Sequence, residues 1–254
     1  MAIFLPPGID WNNTYYPAAR ELLFLRNPYT IRGFQHPIWT LLPILPLAIL
    51  PSTVGRAGFM LMSLVAFGYA AHKLRARPLA WTAFLISPPV VHCLLNASID
   101  WMPLLGFVLP PWMGLFLVVI KPQVGFMVAI FWLVEGWRTG GWRQVVRTFW
   151  PVTTALLLSF AIFGLWPLKY MNLLDYWWNA SLWPMSIPVG LALGVAALRT
   201  RKVAYAMGAS PCLSPYVSFH SWSGALVAIV DHQWETLAAV VGLWILVIMR
   251  GLGG

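Results

Sequence analysis

Seven acids, sixteen lysines and arginines and five histidines are all the titratable charge that this chain of 254 residues carries. Each ionisable side chain inside an apolar stretch is therefore a candidate for chemistry, because such groups are costly at membrane depth and mark functional sites by default. Lys121 is the first. It follows Val118-Val119-Ile120 and precedes Pro122, which can begin a helix, and Gln123. A cation at that helix mouth could hold a lipid phosphate as a compact point charge; the plainer reading is a lysine that snorkels to the headgroups. Asp10 is the second. A carboxylate beside the membrane can take a proton from an acceptor hydroxyl, as a general base must, or it can cap the helix that opens near Tyr15, a task open equally to Asn12, Asn13 and Thr14. Asp100, four residues past Asn96, is a second outer carboxylate or the N-cap of a helix starting at Trp101, with the cap preferred. Arg32, His36, Arg56 and His220 could hold phosphate or sugar hydroxyls, although each alone is more simply an interfacial residue. Asp175, beside Tyr176, Trp177 and Trp178, belongs to an aromatic loop that could stack on a sugar or anchor at the interface. Asp10 and Asp100 could share a divalent cation or hold none. There is no P-loop, dinucleotide fingerprint, HExxH or CxxC pair, so soluble-cofactor chemistry has no foothold.

The elements that must position these groups are apolar. The chain is 60% hydrophobic and 9% charged, with a mean hydropathy of +0.75. Soluble domains carry about 25% charged residues, so soluble enzymes, disordered regulators and disulfide scaffolds are excluded and a polytopic, all-α membrane protein is expected. The net charge of +9 does not signal nucleic acid. Nine of the basic residues sit in three clusters between apolar runs: Lys73, Arg75 and Arg77; Arg138, Arg143 and Arg147; Arg199, Arg201 and Lys202. That is the pattern of cytoplasmic loops under the positive-inside rule, and sixteen tryptophans fit interfacial belts. Cys93 and Cys212 lie in apolar stretches and read as buried thiols.

Residues 1–35 form an outer-face juxtamembrane segment in which Tyr15, Tyr16, Ala19, Leu22 and Leu23 recur at helical spacing, predicting a helix along the membrane surface. Residues 36–51 hold Pro37, Pro43, Pro46 and Pro51 and predict a broken juxtamembrane helix. Residues 53–250 form the transmembrane bundle, one integral domain with the rest. Spans are expected at Thr53–Ala71, Leu79–Leu95, Arg147–Trp166, Trp183–Leu198, Val217–Val230 and Trp234–Met249. Pro110-Pro111 cuts Asp100–Ile120 into halves of about ten residues, each too short to cross, which predicts a re-entrant hairpin. A passage through Ala129 back to the Arg138 cluster brings the expectation to about eight crossings.

Several of these residues also carry a family resemblance. Asp10-Trp11, Tyr15-Tyr16-Pro17-Ala18-Ala19-Arg20-Glu21-Leu22-Leu23, Asn27-Pro28-Tyr29, Phe34-Gln35-His36-Pro37 and Pro46-Leu47-Ala48-Ile49-Leu50-Pro51, in that order, resemble the opening of glycosyltransferase family 87. Ile120-Lys121-Pro122 resembles its Ile-Lys-Pro segment, and Ser214-Pro215-Tyr216 its late Ser-Pro-aromatic turn. The resemblance implies a GT-C-like fold and inverting transfer of a sugar from a polyprenyl phosphate to an outer-face acceptor, in a prokaryotic cytoplasmic membrane. Asp10 would be the general base, Asp100 a second outer acid, and Lys121 the residue near the lipid phosphate, with Arg32, His36, His220 and Gln123 as supporting contacts. Leu25 stands where family members commonly have glycine. Only nine residues precede Asp10, where the family carries a spanning helix, so a partner membrane subunit is expected to supply it. Two other readings are a non-enzymatic descendant that binds lipid as a subunit of a larger complex, and a small-solute transporter with broken helices. The transporter reading lacks the internal repeat such proteins show.

Overall fold

The computed structural model describes residues 8–170, with side chains to 168, and 178–252. Asp175, Tyr176 and Trp177 lie outside the described residues. The described elements are helical, and extended backbone pairs only at an isolated bridge, Asn179 with Ser218. A π-helical turn, Trp11–Tyr15, runs into α1 (Tyr16–Leu23). The proline-rich stretch then breaks into a 3-10 turn, Ile38–Leu41, and the short α2 (Leu45–Ala48). Next come α3 (Ser52–Lys73), α4 (Pro78–Leu85), α5 (Pro88–Asn96), α6 (Trp101–Phe107), α7 (Pro111–Val118) and α8 (Pro122–Phe163). Further along the chain follow α9 (Ile187–Thr200), α10 (Val203–Cys212), a 3-10 turn Phe219–Trp222, α11 (Ser223–Val227) and α12 (Gln233–Leu252).

Among the described residues three helices, α3, α8 and α12, are long and apolar enough to cross a membrane, and α4 and α5, bent by 46°, qualify as a fourth if taken together. Around a largely apolar core, polar groups are also buried while many large apolar side chains face outward, as a lipid solvent allows. Ser63, Asp100, Lys121, Ser210, Ser221 and Thr236 are buried, whereas Leu61, Val65, Leu157, Ile162, Val241, Ile245 and Ile248 face outward. An integral membrane protein is the consistent reading, since water would not tolerate so large an exposed apolar surface.

Proline starts most of these helices and glycine sets their reversals. Proline lies in the first turn of α4, α5, α7, α8 and α9, where its missing N–H costs nothing. The 42-residue α8 is two arms joined at Gly141, whose φ of 61° and ψ of −154° only glycine adopts readily. A Cβ on Gly136 would meet the Val145 side chain at 3.6 Å, although nine residues of straight helix rise roughly 13 Å. The two ends of α8 also meet through one neighbour. The Tyr29 ring lies 5.4 Å from that of Phe163, its hydroxyl donates to the His36 carbonyl, and the His36 ring binds the Ile120 carbonyl.

Two of the three basic clusters gather at the hinge of α8. Arg138 donates to the Leu198 carbonyl, and Arg201 pairs with Glu135 at 2.6 Å. Helix α3 packs its Phe59 on Trp101, and Lys73 lies fourteen residues, about 21 Å, further along. The Arg138 and Arg201 clusters thus meet beside the α8 hinge.

Several expectations change. Val217–Val230 does not form a span; it folds into the Phe219–Trp222 turn and the five-residue α11, and its Val217, Val227 and Val230 are buried. Its hydrophobicity serves the protein interior, not lipid. The span expected at Trp183–Leu198 is the fourteen-residue α9, about 21 Å long, short of the ~30 Å hydrocarbon core. Fewer helices are therefore long enough to cross than the eight or so expected. The stripe expected along a membrane surface is drawn inside only in part: Tyr15 and Ala19 are buried, Tyr16 and Leu22 are half-buried and Leu23 is exposed. Trp11, Tyr15, Ala18 and Ala19 are buried, with Trp11 against Phe59 and its indole donating to Ser52. Pro110-Pro111 does divide its segment into α6 and α7, which pack as a hairpin where a Cβ on Gly106 would meet the Gly114 carbonyl oxygen at 2.9 Å. Its first arm is almost wholly buried in protein, which is where broken backbone at membrane depth is tolerated.

Candidate functional site

The site is assembled from helix ends. The left-handed Ala97 (φ 53°) ends α5 and turns the chain into Ser98-Ile99-Asp100, which start α6. The α6–α7 hairpin returns the chain to Lys121, in extended conformation just before Pro122 opens α8. The Ser214–Tyr216 turn is held against Asn179–Ser181, with Asn179 donating to the Pro215 carbonyl and Ser181 to the Ser214 carbonyl. From that anchor the chain enters the 3-10 turn that carries His220 and Ser221.

At the centre, Lys121 Nζ donates to Asp100 Oδ2 at 2.7 Å; both side chains are buried, at 5% and 0% exposure. Asp100 also accepts from Ser98 Oγ at 3.0 Å and, through Oδ1, from Ser221 Oγ at 2.6 Å. Lys121 reaches Ser98 Oγ and His220 Nε2, each at 3.3 Å. An ammonium has three protons and no lone pair, so those three partners use all of them. Burial alone would push the Asp100 carboxyl up. His220 and the Lys121 ammonium, with hydrogen bonds from Lys121 and Ser221, outweigh it and hold the group well below the usual carboxylate range. Lys121 is the counterpart: burial opposes its charge, while Asp100 and, further off, Asp10 raise it above the ordinary lysine value. Burial brings His220 and His36 down to about 4, with Lys121 adding to the effect. Both rings are therefore neutral near pH 7, and Lys121 is the cation that Asp100 faces there.

A second layer surrounds the pair. His36 places Nδ1 on the Ile120 carbonyl at 2.9 Å and Nε2 3.4 Å from the Tyr15 hydroxyl. Cys93 Sγ lies 3.9 Å from Asp100 Oδ2. On the other side His92 Nδ1 lies 3.2 Å from His220 Nδ1. Asp10 stands apart. It is half-buried, its backbone is already helical, it makes no capping bond, and no hydrogen bond or ion pair engages it among the described residues. Its charge nevertheless acts on Tyr15, Lys121 and His220, so it belongs to this end of the molecule.

The structure thus brings Asp100, Lys121, His36 and His220 together, with Asp10 at the margin. The preferred capping role of Asp100 is overturned, because the carboxylate turns into the ion pair and makes no cap bond. Lys121 is not a lysine that snorkels: its ammonium points into protein. Arg32 is exposed and Gln123, in the first turn of α8, is half-buried; neither has a hydrogen bond to the cluster. Arg56 is buried at the start of α3 beside Gly8, near the Asp10 loop. No group of three or more His, Cys, Asp or Glu among the described residues could hold a metal. Asp100 is committed to an ammonium, so a divalent ion shared with Asp10 does not fit. The reasoning from sequence missed Tyr15, His92, Ser98 and Ser221. His92 and Asn96 at helical i,i+4 spacing and the Ser98-Ile99-Asp100 triplet were the available signals. Beside the cluster, Trp222 lines an open, apolar groove of about 430 Å³ with Leu182, Trp183, Met185 and Val189.

No family model matches the chain, and no curated protein or solved structure is significantly similar to it.

Proposed function

We propose that the chain is a GT-C-like membrane transferase that moves a sugar from a polyprenyl phosphate to an acceptor hydroxyl at the end of the bundle remote from the α8 hinge. The observation that carries the reading is Asp10: a carboxylate with no hydrogen-bond partner among the described residues, within electrostatic reach of a buried cation that is held charged. Asp10 removes the acceptor's proton as its oxygen attacks the anomeric carbon, and the bond to the phosphate breaks with its electron pair leaving on the lipid phosphate. Lys121 contributes a fixed positive charge where negative charge develops. With Asp100, Ser98 and His220 on its three protons, it does so through its field; direct contact with phosphate requires one of them to give way. Leu25, which takes a left-handed φ of 56° where the resembled family commonly has glycine, supports the match, since glycine reaches that region without strain. The groove beside Trp222 suits an isoprenoid chain. If the hinge end lies in the cytoplasm, the reaction is on the outer face of a prokaryotic cytoplasmic membrane.

The test is turnover of radiolabelled polyprenyl-phosphate hexose by the protein in nanodiscs with extracted envelope lipids as acceptor. Asp10→Asn is expected to lower the rate by about 10²- to 10⁴-fold, the usual contribution of a positioned base. Equal rates in Asp10→Asn and wild type reject the role of Asp10, and no turnover by wild type rejects the transferase reading. The second reading, a lipid-binding subunit of a larger membrane complex, is favoured by the saturation of Lys121. Stoichiometric co-purification of a partner, without binding of lipid-linked sugar, would establish it.

A further inference from the structure

The Lys121–Asp100 pair is sealed from solvent, yet one side chain in contact with it leads outward. His220 touches the pair through Nε2, which lies 3.3 Å from both Lys121 Nζ and Asp100 Oδ2. Its other nitrogen, Nδ1, lies 3.2 Å from Nδ1 of His92, and His92 is exposed. The two ring planes are inclined by only 20° while the ring centroids are 5.4 Å apart. With the facing nitrogens at 3.2 Å, rings lying one over the other would bring their centroids much closer. The imidazoles therefore meet edge to edge near a common plane, the direction in which an N–H donates and a ring lone pair accepts.

Hydrogen-bond roles around this contact follow from chemistry. Lysine can only donate, and Ser98 gives its proton to Asp100 Oδ2, so His220 Nε2 accepts from Lys121. His220 then carries its proton on Nδ1 and donates to His92 Nδ1, and His92 carries its own proton on Nε2. A second arrangement satisfies the same distances: His92 Nδ1–H donates to His220 Nδ1, and His220 Nε2–H donates to Asp100 Oδ2. Two complementary tautomer sets on one chain of contacts are what proton transfer requires.

We propose that His92 and His220 form a two-step proton relay between the buried Lys121–Asp100 pair and the aqueous surface. Outward, Lys121 Nζ gives a proton to His220 Nε2, His220 Nδ1 passes its proton to His92 Nδ1, and His92 Nε2 releases one to water. Each imidazole gains one N–H bond and loses one, and Lys121 is left neutral. Inward transfer reverses each step. The charged and titratable groups facing the relay are Asp100 and Lys121 from the starts of α6 and α8, with Asp10 acting at longer range. The Phe219 ring packs edge-on against His92 at 5.5 Å, and the Asn96 amide lies 3.2 Å from both its nitrogens. The relay lets a sealed ion pair change its proton count without unfolding the segment that covers it. It depends on no substrate, so it is tested separately from the transferase reading.

The experiment is solvent exchange of the His220 ring proton, followed by NMR on the ¹⁵N-histidine-labelled full chain in nanodiscs. His92→Phe keeps a flat ring but cannot carry a proton, and exchange is expected to slow by on the order of 10²-fold, the usual contribution of a positioned acid–base group. Added imidazole should restore fast exchange in His92→Ala, which a purely structural role for His92 would not allow. His232→Phe, at an exposed histidine beside Asp231, should exchange as wild type does. The His36 ring signal reports whether each variant is folded; if His92→Phe is not, His92→Gln is read by the same criteria. Exchange in the folded variant within about twofold of wild type, which would mean that local opening and not His92 sets the rate, overturns the relay. Failure of imidazole to rescue His92→Ala overturns it as well.

Discussion

Replacing Lys121 by methionine isolates the energetics of the centre. The substitution keeps a flexible apolar stem of similar length and removes the ammonium, so Asp100, fully buried, loses its 2.7 Å partner. Breaking one side of a buried pair costs about 3–5 kcal/mol, because a charge is left uncompensated. The carboxylate has one escape, which is to take up a proton. From an ordinary carboxylate pKa of about 3.9, that costs about 1.4 kcal/mol per pH unit, hence about 4 kcal/mol at pH 7 and about 1.5 kcal/mol at pH 5. The two figures agree at neutral pH and predict a deficit that shrinks on acidification. The signs are consistent. In the wild type the depressed Asp100 pKa contributes stability above pH ~3.9 that fades only as pH falls through the folded-state value. In Lys121→Met the folded-state pKa lies above the unfolded one, so the deficit grows with pH. Tryptophan-fluorescence unfolding in mixed detergent micelles at pH 5 and pH 7 reads both quantities. A loss under about 1 kcal/mol at pH 7, or a loss equal at the two pH values, would refute the buried-pair account. Asp100→Asn combined with Lys121→Met should recover most of the loss, since no charge then remains to be buried.

Three further outcomes follow from the same geometry. His36 and His220, both pushed down to about 4, stay neutral while the unfolded chain protonates near pH 6.5, so wild-type stability should fall as pH drops from about 6.5 to 4. Each contributes up to about 1.4 kcal/mol per pH unit, and titrating the unfolding of His36→Phe should show a clearly shallower slope than wild type over that window. Gly114→Ala puts a methyl group against the Gly106 carbonyl and 2.7 Å from Trp132, so chemical unfolding should show a loss of about 1–3 kcal/mol, from overpacking where α6 meets α7. Gly141→Ala meets no atom within 4 Å yet forces a left-handed, extended-ψ backbone on alanine. Its cost, about 1–3 kcal/mol, is strain alone, and a calorimetric scan that shows no loss would remove the glycine requirement at the α8 hinge.

Much of the architecture was legible because it depends on local chemistry. The prolines at 37, 43, 46 and 51 broke their segment as expected, and Pro110-Pro111 split the hairpin, because a ring that fixes φ and lacks an N–H acts wherever it stands. Two of the basic clusters, those of Arg138 and Arg201, do meet, both beside the α8 hinge. What hydropathy could not separate is burial in lipid from burial in protein. Val217–Val230 and the stripe running into α1 read as membrane-facing, yet Val227 and Ala19 pack inside the protein, because both environments select the same side chains.

The sequence by itself determined that this is a helical membrane protein, that its proline-rich segments break, and that Lys121, Asp100, His36 and His220 were worth suspecting. Only the tertiary structure decided that Lys121 spends its charge on Asp100, that Ser98 and Ser221 complete that pair, and that Asp10 stands uncommitted beside it. It alone placed His92 against His220. The reason is sequence distance: Ser221 Oγ meets Asp100 Oδ1 across 121 residues and His92 meets His220 across 128. No local pattern encodes such a pairing. It exists because the α6–α7 hairpin and the fold-back of α8 at Gly141 return widely separated helix ends to one place.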